Sequence, residues 1–165
     1  MVKQLLLPLA AVAAFIVFVG WFIKKAPELN IPGAIQTATA TNKVTIDGVT
    51  FAAEIANNNT SRTKGLSGRD SIGLSSGMLF VFDKKDVTPS FWMKDMKFPI
   101  DIIWINDGKI VKIDKNAAAP ATDTPDSKLT IYPSGQPVDY VFEINAGLSD
   151  KNGFKVGDEV ILPLE

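Results

Sequence analysis

The sequence contains no histidine and no cysteine among its 165 residues. Their absence excludes a Ser-His-Asp triad, a cysteine nucleophile, a disulfide framework, a Cys/His zinc site and an imidazole proton shuttle. Carboxylates, lysines, arginines and hydroxyls are the side chains left for chemistry. The aspartates do not form a calcium-loop pattern, so we expect neither a metal nor a cofactor. Binding is therefore a better hypothesis than catalysis, and an enzyme is not the favoured interpretation.

The sequence also lacks an excess of charge of one sign, with 17 Lys and Arg against 18 Asp and Glu. Three of the basic residues and one of the acidic residues fall in residues 1–42, which leaves 14 basic and 17 acidic side chains in residues 43–165. A nucleic-acid-binding surface needs clustered basic residues to neutralise phosphates, and no such stripe is present. We therefore expect no nucleic-acid partner.

One long hydrophobic run is present near the N-terminus, where Leu5 to Ile23 form 19 residues without a charge. At about 1.5 Å of rise per residue, a helix of this length covers roughly 28 Å, close to the hydrocarbon thickness of about 30 Å. Trp21 lies near one end, as an interfacial aromatic does. We predict a transmembrane anchor over residues 1–25 that enters the membrane through residues 5–23. A cleaved signal peptide and a buried core helix are the alternatives.

A tether is expected between this anchor and the remaining chain. Residues 26–42 contain Pro27, Pro32 and Gly33 and an alternating Thr/Ala run without apolar periodicity, which is typical of an extended linker. Lysines flank both ends of the anchor, so the positive-inside rule does not fix its orientation. Because such tethers suit an extracytoplasmic domain, we expect a single-pass membrane protein whose domain of residues 43–165 lies outside the cytoplasm.

Residues 43–165 are numerous enough for one core, and their pattern predicts short strands joined by turns. Asp47-Gly48 and Asp107-Gly108 each separate two β-prone runs, and Asp-Gly favours the type I′ turn of a hairpin. Further strands are predicted at residues 77–82, 140–144 and 159–162, and short helices at residues 61–66 and near Leu148. This pattern predicts a mainly β fold (α+β with one or two short helices), forming a small β-barrel-like or sandwich-like domain.

One connection is too long to be an ordinary connector. Residues 115–137 hold several Pro, Gly and Asp residues and show no regular pattern. Stretches of this length inside a compact domain are usually functional lids or mobile loops. A surface insertion without function is the alternative.

The densest chemical feature is the segment from Phe91 to Asp101, which places large apolar side chains beside Lys94, Asp95 and Asp101. A concave binding site needs such a mixture, because aromatic walls exclude water and a few charges orient the ligand. Trp92 would then offer a stacking face. The alternative is that these aromatics are ordinary core residues.

Six motifs follow one another along residues 43–165. They are Arg62-x-x-Gly65-Leu66-x-x-Arg69, Gly77-Met-Leu-Phe-Val-Phe82, Phe91-Trp-Met-Lys94, Pro99-Ile-Asp-Ile-Ile103, Tyr140-Val-Phe-Glu143-x-Asn-Ala-Gly147 and Gly157-Asp158. In this order and spacing the chain resembles the DUF192 family of prokaryotic proteins. The resemblance implies a compact, β-barrel-like domain, often carried behind a signal or membrane segment, and brings no established activity, substrate or cofactor. The chain departs from the family's usual Trp-Met-Lys-Asn-Thr sequence by having Asp95 and Met96.

Five of the matched positions are polar although apolar residues surround them, and with Trp92 they are the candidate ligand-binding residues. They are Arg62, Arg69, Lys94, Asp101 and Glu143. A buried charge is costly unless it is paired or densely hydrogen-bonded. The simplest expectation is that an arginine of this set pairs with Glu143 and that Lys94 pairs with Asp101.

Three functions are compatible with these residues. The favoured one is a membrane-tethered binding or accessory module, in which the cations and Trp92 orient a small anionic or carbohydrate ligand. The second is a hydrolase acting on envelope carbohydrate, with Asp101 and Glu143 as acid and base about 5–10 Å apart in one cleft. The third is a purely structural envelope protein, whose motif residues only hold the barrel together.

Overall fold

The structure is a computed structural model that describes residues 42–163. The predicted anchor at residues 1–25 and nearly all of the predicted tether at residues 26–42 lie outside the described residues, and both stay predictions. Within the described residues, no helix combines the length and the apolar character needed to cross a bilayer.

The described chain is mainly β, with nine strands, two short α-helices and one 3-10 turn. The strands are β1 (Lys43–Ile46), β2 (Val49–Ala56), β3 (Ser76–Val81), β4 (Ser90–Trp92), β5 (Ile100–Asn106), β6 (Lys109–Ala117), β7 (Ile131–Pro133), β8 (Tyr140–Asn145) and β9 (Val160–Ile161). The helices are α1 (Asn59–Lys64) and α2 (Leu148–Asn152), and the 3-10 turn spans Asp126–Lys128.

Seven strands form one sheet in the order β6-β5-β8-β3-β2-β1-β9. All neighbours are antiparallel except β2 and β3, which run parallel. The two ends of the sheet meet where Lys109 bridges Glu159 and the backbone N–H of Val160 donates to the carbonyl of Gly108 at 2.8 Å. The sheet is therefore nearly closed and barrel-like, which confirms the predicted fold class of the domain.

Both predicted hairpins are present, β1–β2 and β5–β6. Asp47 and Gly48 at the first turn have φ of 46° and 80°, and Asp107 and Gly108 at the second have φ of 46° and 66°. A type I′ turn requires positive φ at both central residues, which Gly adopts freely and Asp tolerates better than most side chains. The local sequence thus determines these two turns.

The interior of the barrel is a single apolar cluster. Every strand of the large sheet contributes to it, together with Leu148 of α2 and Phe154. Phe51 packs edge to face against Phe142 and Phe154, with ring centroids 5.8 and 6.2 Å apart. Such edge-to-face pairs add to the stabilisation from burial, and the packed interior leaves the outer face of the sheet as the place for a site.

A second apolar cluster lies on the outer face of β3, β5 and β8, where Met78, Ile102 and Val141 are buried. The two-stranded sheet β4–β7 contributes Phe91 and Tyr132 to this cluster. Alternate residues of one strand point to opposite faces of the sheet. The three strands can therefore be apolar on both faces, which explains their nearly continuous hydrophobic sequences.

The prediction that residues 115–137 form one long irregular connection is wrong in part. β6 extends to Ala117, the 3-10 turn occupies Asp126–Lys128, and β7 pairs with β4 through the register Phe91 with Tyr132 and Trp92 with Ile131. Part of the segment therefore belongs to the small second sheet. The β-pairing was not visible in the sequence, because each strand has three residues and its partner lies about forty positions away.

Candidate functional site

The position of Glu143 follows from the register of β8 in the sheet. Glu143 lies opposite Met78 of β3 and Ile102 of β5. Directly opposed residues share a face of the sheet, and Met78 and Ile102 both belong to the outer cluster. The Glu143 side chain therefore projects from the outer face, among apolar residues.

A cavity of about 390 Å³ lies over this outer face. Its walls come from the α1 region, from β3 and the residue after it, and from the β4 region. The apolar lining consists of Leu66, Phe80, Phe82, Pro89, Phe91, Trp92, Met93, Met96 and Ile100, and Glu143 is among the polar residues that complete it. The volume and the mainly apolar lining are typical of small-molecule sites.

The aromatic wall is packed against the sheet on its inner side. Phe91 packs edge to face against Phe80 at 4.8 Å and against Trp104 at 5.5 Å between ring centroids. Trp92, the next residue on β4, is 47% exposed. Because neighbouring residues of a strand point in opposite directions, Phe91 packs inward against the sheet while a large part of the Trp92 ring remains open to a ligand.

The Glu143 carboxyl has no ion-pair or hydrogen-bond partner among residues 42–163, although the residue is only 6% exposed. Burial raises the pKa of Glu143 to about 8, because the charged form loses hydration and gains no compensating group. The carboxyl is therefore mostly protonated at neutral pH. It is a buried polar group facing a cavity, which is the usual environment of a functional acid.

Asp101 is also fully buried, but its environment is the opposite. One carboxylate oxygen accepts the backbone N–H groups of Asn116 at 2.8 Å and Gly147 at 3.2 Å, and the other accepts that of Ser149 at 2.9 Å. These bonds tie the start of α2 to the end of β6. Asp101 does not line the cavity, so its assignment as a ligand-binding residue has no support from the geometry.

The expected pairing of an arginine with Glu143 is wrong. Arg62 donates to both carboxylate oxygens of Asp83, at 3.0 and 3.3 Å, to the carbonyl of Val81 at 2.8 Å and to the side chain of Asn59 at 2.7 Å. Its side chain lines the cavity, but its terminal nitrogens Nη1 and Nη2 point to these acceptors. Arg62 therefore braces α1 against the end of β3 and leaves Glu143 unpaired.

Arg69 pairs with Glu54 of β2 through two hydrogen bonds of 2.6 and 2.8 Å. This bidentate contact lowers the pKa of Glu54 and raises the pKa of Arg69, because each partner favours the charged form of the other. Arg69 does not line the cavity. Its place in the predicted site has no support from the geometry.

The expected pairing of Lys94 with Asp101 is wrong. Lys94 pairs instead with Asp126 of the 3-10 turn. The hydrogen bond to Asp126 raises the pKa of Lys94. The ammonium also lies 5.4 Å from the centroid of the Trp92 ring, within cation–π range. Lys94 and Trp92 line an open groove beside the cavity, so Lys94 lies near the cavity mouth and outside its walls.

The backbone conformation at Asp95 accounts for an Asp where the family's usual Trp-Met-Lys-Asn-Thr sequence has Asn. Its backbone has φ of 55°, a left-handed conformation that Asn and Asp tolerate better than other residues with side chains. The Asp95 carbonyl accepts the N–H of Gly68 at 2.8 Å. The position therefore requires a backbone conformation that either residue adopts.

Of the six predicted ligand-binding residues, Arg62, Trp92 and Glu143 line the cavity, and Arg69, Lys94 and Asp101 do not. Phe91, Trp92 and Met93 belong to the segment that was expected to form a site, but the walls from β3 and the residue after it, Phe80 and Phe82, were missed. One signal for them was present, since Phe80 and Phe82 alternate with interior residues in the run from Gly77 to Phe82. Within residues 42–163, no group of three or more Asp or Glu side chains is arranged to hold a metal ion.

Fold and site together define a small barrel-like β domain with one outer face covered and an acid-containing cavity beneath the cover. The chain belongs to the DUF192 family, described as "Uncharacterized ACR", whose model matches residues 42–162. No protein with a curated description matches it.

The solved structures that are similar to the chain include the following two. A protein of unknown function from Novosphingobium aromaticivorans DSM 12444 is 33% identical with a TM-score of 0.63, and the match covers 72% of this chain and 83% of that one. A Sinorhizobium meliloti 1021 protein, whose description proposes a transcription regulator, is 31% identical with a TM-score of 0.64, and the match covers 73% of this chain and 92% of that one.

Proposed function

We propose that the chain is a binding module for a small ligand with an apolar body and one polar group, which the outer-face cavity takes up with that group at Glu143. The observation that carries the proposal is the unpartnered Glu143 carboxyl at the wall of a cavity of about 390 Å³. Burying a polar group without a partner costs stability. A ligand that pairs with Glu143 would offset this cost.

The geometry argues against the carbohydrate hydrolase. A glycosidase needs two carboxyl groups flanking one bond, and the second candidate, Asp101, is outside the cavity and occupied by three backbone N–H groups. Within residues 42–163, Glu143 is the only acid that lines the cavity. A single acid supports binding better than paired acid–base catalysis.

A purely structural role explains Asp101 but not Glu143. Asp101 connects β5, β6 and the start of α2, as a structural carboxylate does. Glu143 connects nothing within the described residues, and an apolar side chain at the same place would avoid the desolvation of a carboxyl. The third hypothesis therefore accounts for Asp101 and leaves the burial of Glu143 unexplained.

An anionic ligand is less favoured than the sequence suggested. The three cations expected to receive it are each paired with a carboxylate: Arg62 with Asp83, Arg69 with Glu54, and Lys94 with Asp126.

A transcription-regulator role, proposed for the Sinorhizobium protein, is not favoured for this chain either. Its residues 43–165 have 14 basic against 17 acidic side chains, and nucleic-acid binding needs the opposite excess.

We propose further that the module is held at a membrane by residues 5–23 and that residues 26–42 let it stand away from the surface on the extracytoplasmic side. The uncharged run of 19 residues supports the anchor, and the Pro/Thr/Ala composition supports the tether. Protease added to intact cells should remove the domain from the anchor. Cleavage only after the cells are opened would contradict this orientation.

A methyl-NMR screen tests the binding site in the full chain. The sequence has four methionines, of which Met93 and Met96 line the cavity and Met1 lies outside the described residues. In protein labelled at the methionine methyl groups, fragments that occupy the cavity should shift the signals of Met93 and Met96 and leave that of Met1 in place.

The matched variants are Trp92→Ala and Ile131→Ala. Both side chains are about half exposed and face each other in the register of β4 and β7, but only Trp92 lines the cavity. Trp92→Ala should weaken fragment binding and Ile131→Ala should not. A fragment library that moves neither the Met93 nor the Met96 signal would overturn the binding function.

A further inference from the structure

We propose that the ligand is a small organic cation, a quaternary ammonium or a protonated amine with an apolar body, and that Glu143 is its counter-ion. This inference rests on the proposed function and names the ligand class of the same cavity. The geometry points to a cation because a single unpartnered carboxyl lies among aromatic side chains.

The walls suit an apolar cation. Phe80, Phe82, Phe91 and Trp92 line the cavity together with the sulfur-containing side chains of Met93 and Met96. Aromatic faces attract ammonium groups most strongly where water is excluded, and such aromatic cages are a recurrent solution for quaternary ammonium ligands. A carboxylate added to the cage would supply the full opposite charge.

The basic side chains near the cavity do not neutralise Glu143. Arg62 and Lys64 of α1 are the basic residues that line the cavity. The charge of Arg62 is balanced by Asp83 at 3.0 Å, and both of its terminal nitrogens, Nη1 and Nη2, donate hydrogen bonds to other groups. Lys64 is exposed, where water screens its charge. Neither forms an ion pair with Glu143, so the carboxyl stays available to a ligand.

Other ligand classes fit less well. An anion would have to approach Glu143 without an unpaired arginine to receive it, since the Arg62 guanidinium is already paired with Asp83. A sugar would bring several hydroxyl groups into a mainly apolar cavity, and each buried hydroxyl without a partner costs binding free energy. A quaternary ammonium with an apolar body brings no hydrogen-bond donor that could be left unpaired.

Binding of a cation should release a proton. In the free protein burial keeps the pKa of Glu143 at about 8, and a cation favours the ionised form. Met78 of β3 and Ile102 of β5 face Glu143 in the sheet, and Arg62 and Lys64 of α1 are the charged groups across the cavity. For a carboxyl with a pKa of about 8, the ionised fraction rises about tenfold from pH 7 to pH 9. The apparent affinity for the cation should rise by the same factor.

The test compares two probes of the same shape on the full chain in nanodiscs of zwitterionic lipid. The probes are phenyltrimethylammonium, whose charge does not titrate, and tert-butylbenzene, its uncharged isostere. Both are titrated at pH 7 and pH 9 against the methyl signals of Met93 and Met96, which line the cavity. We expect the cation to bind at least tenfold more tightly than the neutral probe at pH 9 and about tenfold more weakly at pH 7 than at pH 9.

The variant Glu143→Gln should remove both the preference for the cation and its pH dependence while tert-butylbenzene still binds. The matched control is Glu54→Gln, because Glu54 pairs with Arg69 and does not line the cavity; it should leave both probes unaffected. A measurement without any variant is the carboxyl ¹³C signal of Glu143 in the wild-type protein, whose titration should move to lower pH when the cation is present.

The outcomes separate this inference from the binding function itself. Equal binding of the two probes, or binding of tert-butylbenzene alone, would overturn the cation while the cavity would stand as a binding site. If neither probe moves the Met93 and Met96 signals, the inference of a cationic ligand is also overturned. The fragment screen then decides whether the cavity is a binding site at all. A preference for the cation that survives in Glu143→Gln would overturn the role of Glu143 as counter-ion.

Discussion

Asp101 and Glu143 lie on paired strands, one register position apart, yet their side chains project from opposite faces of the same sheet. Asp101 of β5 is opposite Ile144, and Ile102 is opposite Glu143 of β8. Ile144 belongs to the barrel interior and Ile102 to the outer cluster. The first acid is surrounded by backbone donors and the second by apolar side chains, so two buried carboxyls of one sheet have different tasks.

The first prediction concerns the pH dependence of stability, measured by denaturant unfolding of Glu143→Gln. The folded pKa of Glu143 is about 8 and its ordinary value is 4.5, so between these values the folded protein binds more protons than the unfolded chain. Wild-type stability should therefore fall as the pH rises through this window, with a slope from this group of about 1.4 kcal/mol per pH unit. The variant should lose that slope.

The control for this experiment is Glu54→Gln. The pKa of Glu54 is lowered by Arg69, so its contribution to stability is present at neutral pH and is lost only as the pH falls into the acidic range. This variant should keep the wild-type slope between pH 5 and pH 8. Parallel pH profiles for wild type and Glu143→Gln would contradict the burial of Glu143 in its protonated form.

The second prediction concerns Asp101→Ala, which removes the acceptor of three backbone N–H groups, those of Asn116, Gly147 and Ser149. Buried donors left without acceptors each cost roughly 1 to 3 kcal/mol, so the free energy of unfolding should drop by at least about 3 kcal/mol.

Asp70→Asn is the matched control for Asp101→Ala, because the Asp70 side chain is 89% exposed and bonds only Lys97. This variant should leave the unfolding midpoint unchanged, since exposed ion pairs contribute little. Equal midpoints for the two variants would contradict the structural role of Asp101.

The sequence predicted those parts of the fold that local chemistry determines. Asp47-Gly48 and Asp107-Gly108 specify their turns through backbone conformation, and the flanking β-prone runs supply the strands. The helix near residue 61 was predicted from its Asn and Ser residues, and the structure shows Asn58 and Ser61 forming a reciprocal cap, with α1 beginning at Asn59. Such signals need only a few neighbouring residues.

The partners of the charged residues could not be predicted in the same way. Arg62 meets Asp83, and Lys94 meets Asp126, across 21 and 32 residues of chain. Which distant carboxylate reaches a cation depends on strand order and on the β4–β7 pairing, neither of which has a local signature. The faces taken by Asp101 and Glu143 likewise depend on the register between strands, where a shift of one residue reverses every side chain.

The third prediction concerns Asp95, whose φ of 55° requires a left-handed backbone. Asp95→Asn should leave the stability unchanged and Asp95→Gly should maintain or raise it, whereas Asp95→Ala should lower the free energy of unfolding by about 1 kcal/mol. Thermal unfolding of the three variants checks this order. If Asp95→Ala were as stable as Asp95→Asn, the presence of Asp where the family usually has Asn would need an explanation in side-chain chemistry.

The fourth prediction compares two neighbouring aromatics of β4. Phe91 contacts Phe80 and Trp104 at ring-centroid distances of 4.8 and 5.5 Å, so Phe91→Ala should cost about 3 kcal/mol or more through the hole it leaves. Trp92 is 47% exposed, and Trp92→Ala should cost roughly 1 kcal/mol or less. Chemical denaturation of both variants measures the difference.

This comparison separates a binding role of Trp92 from a structural one. If Trp92 only held the small sheet in place, its removal would destabilise the protein and change ligand binding merely in proportion to unfolding. As a half-exposed wall of the cavity, it should be dispensable for folding and needed for affinity. Trp92→Ala should therefore remain folded in the circular dichroism spectrum while losing fragment binding. A variant as unstable as Phe91→Ala would instead favour the structural role.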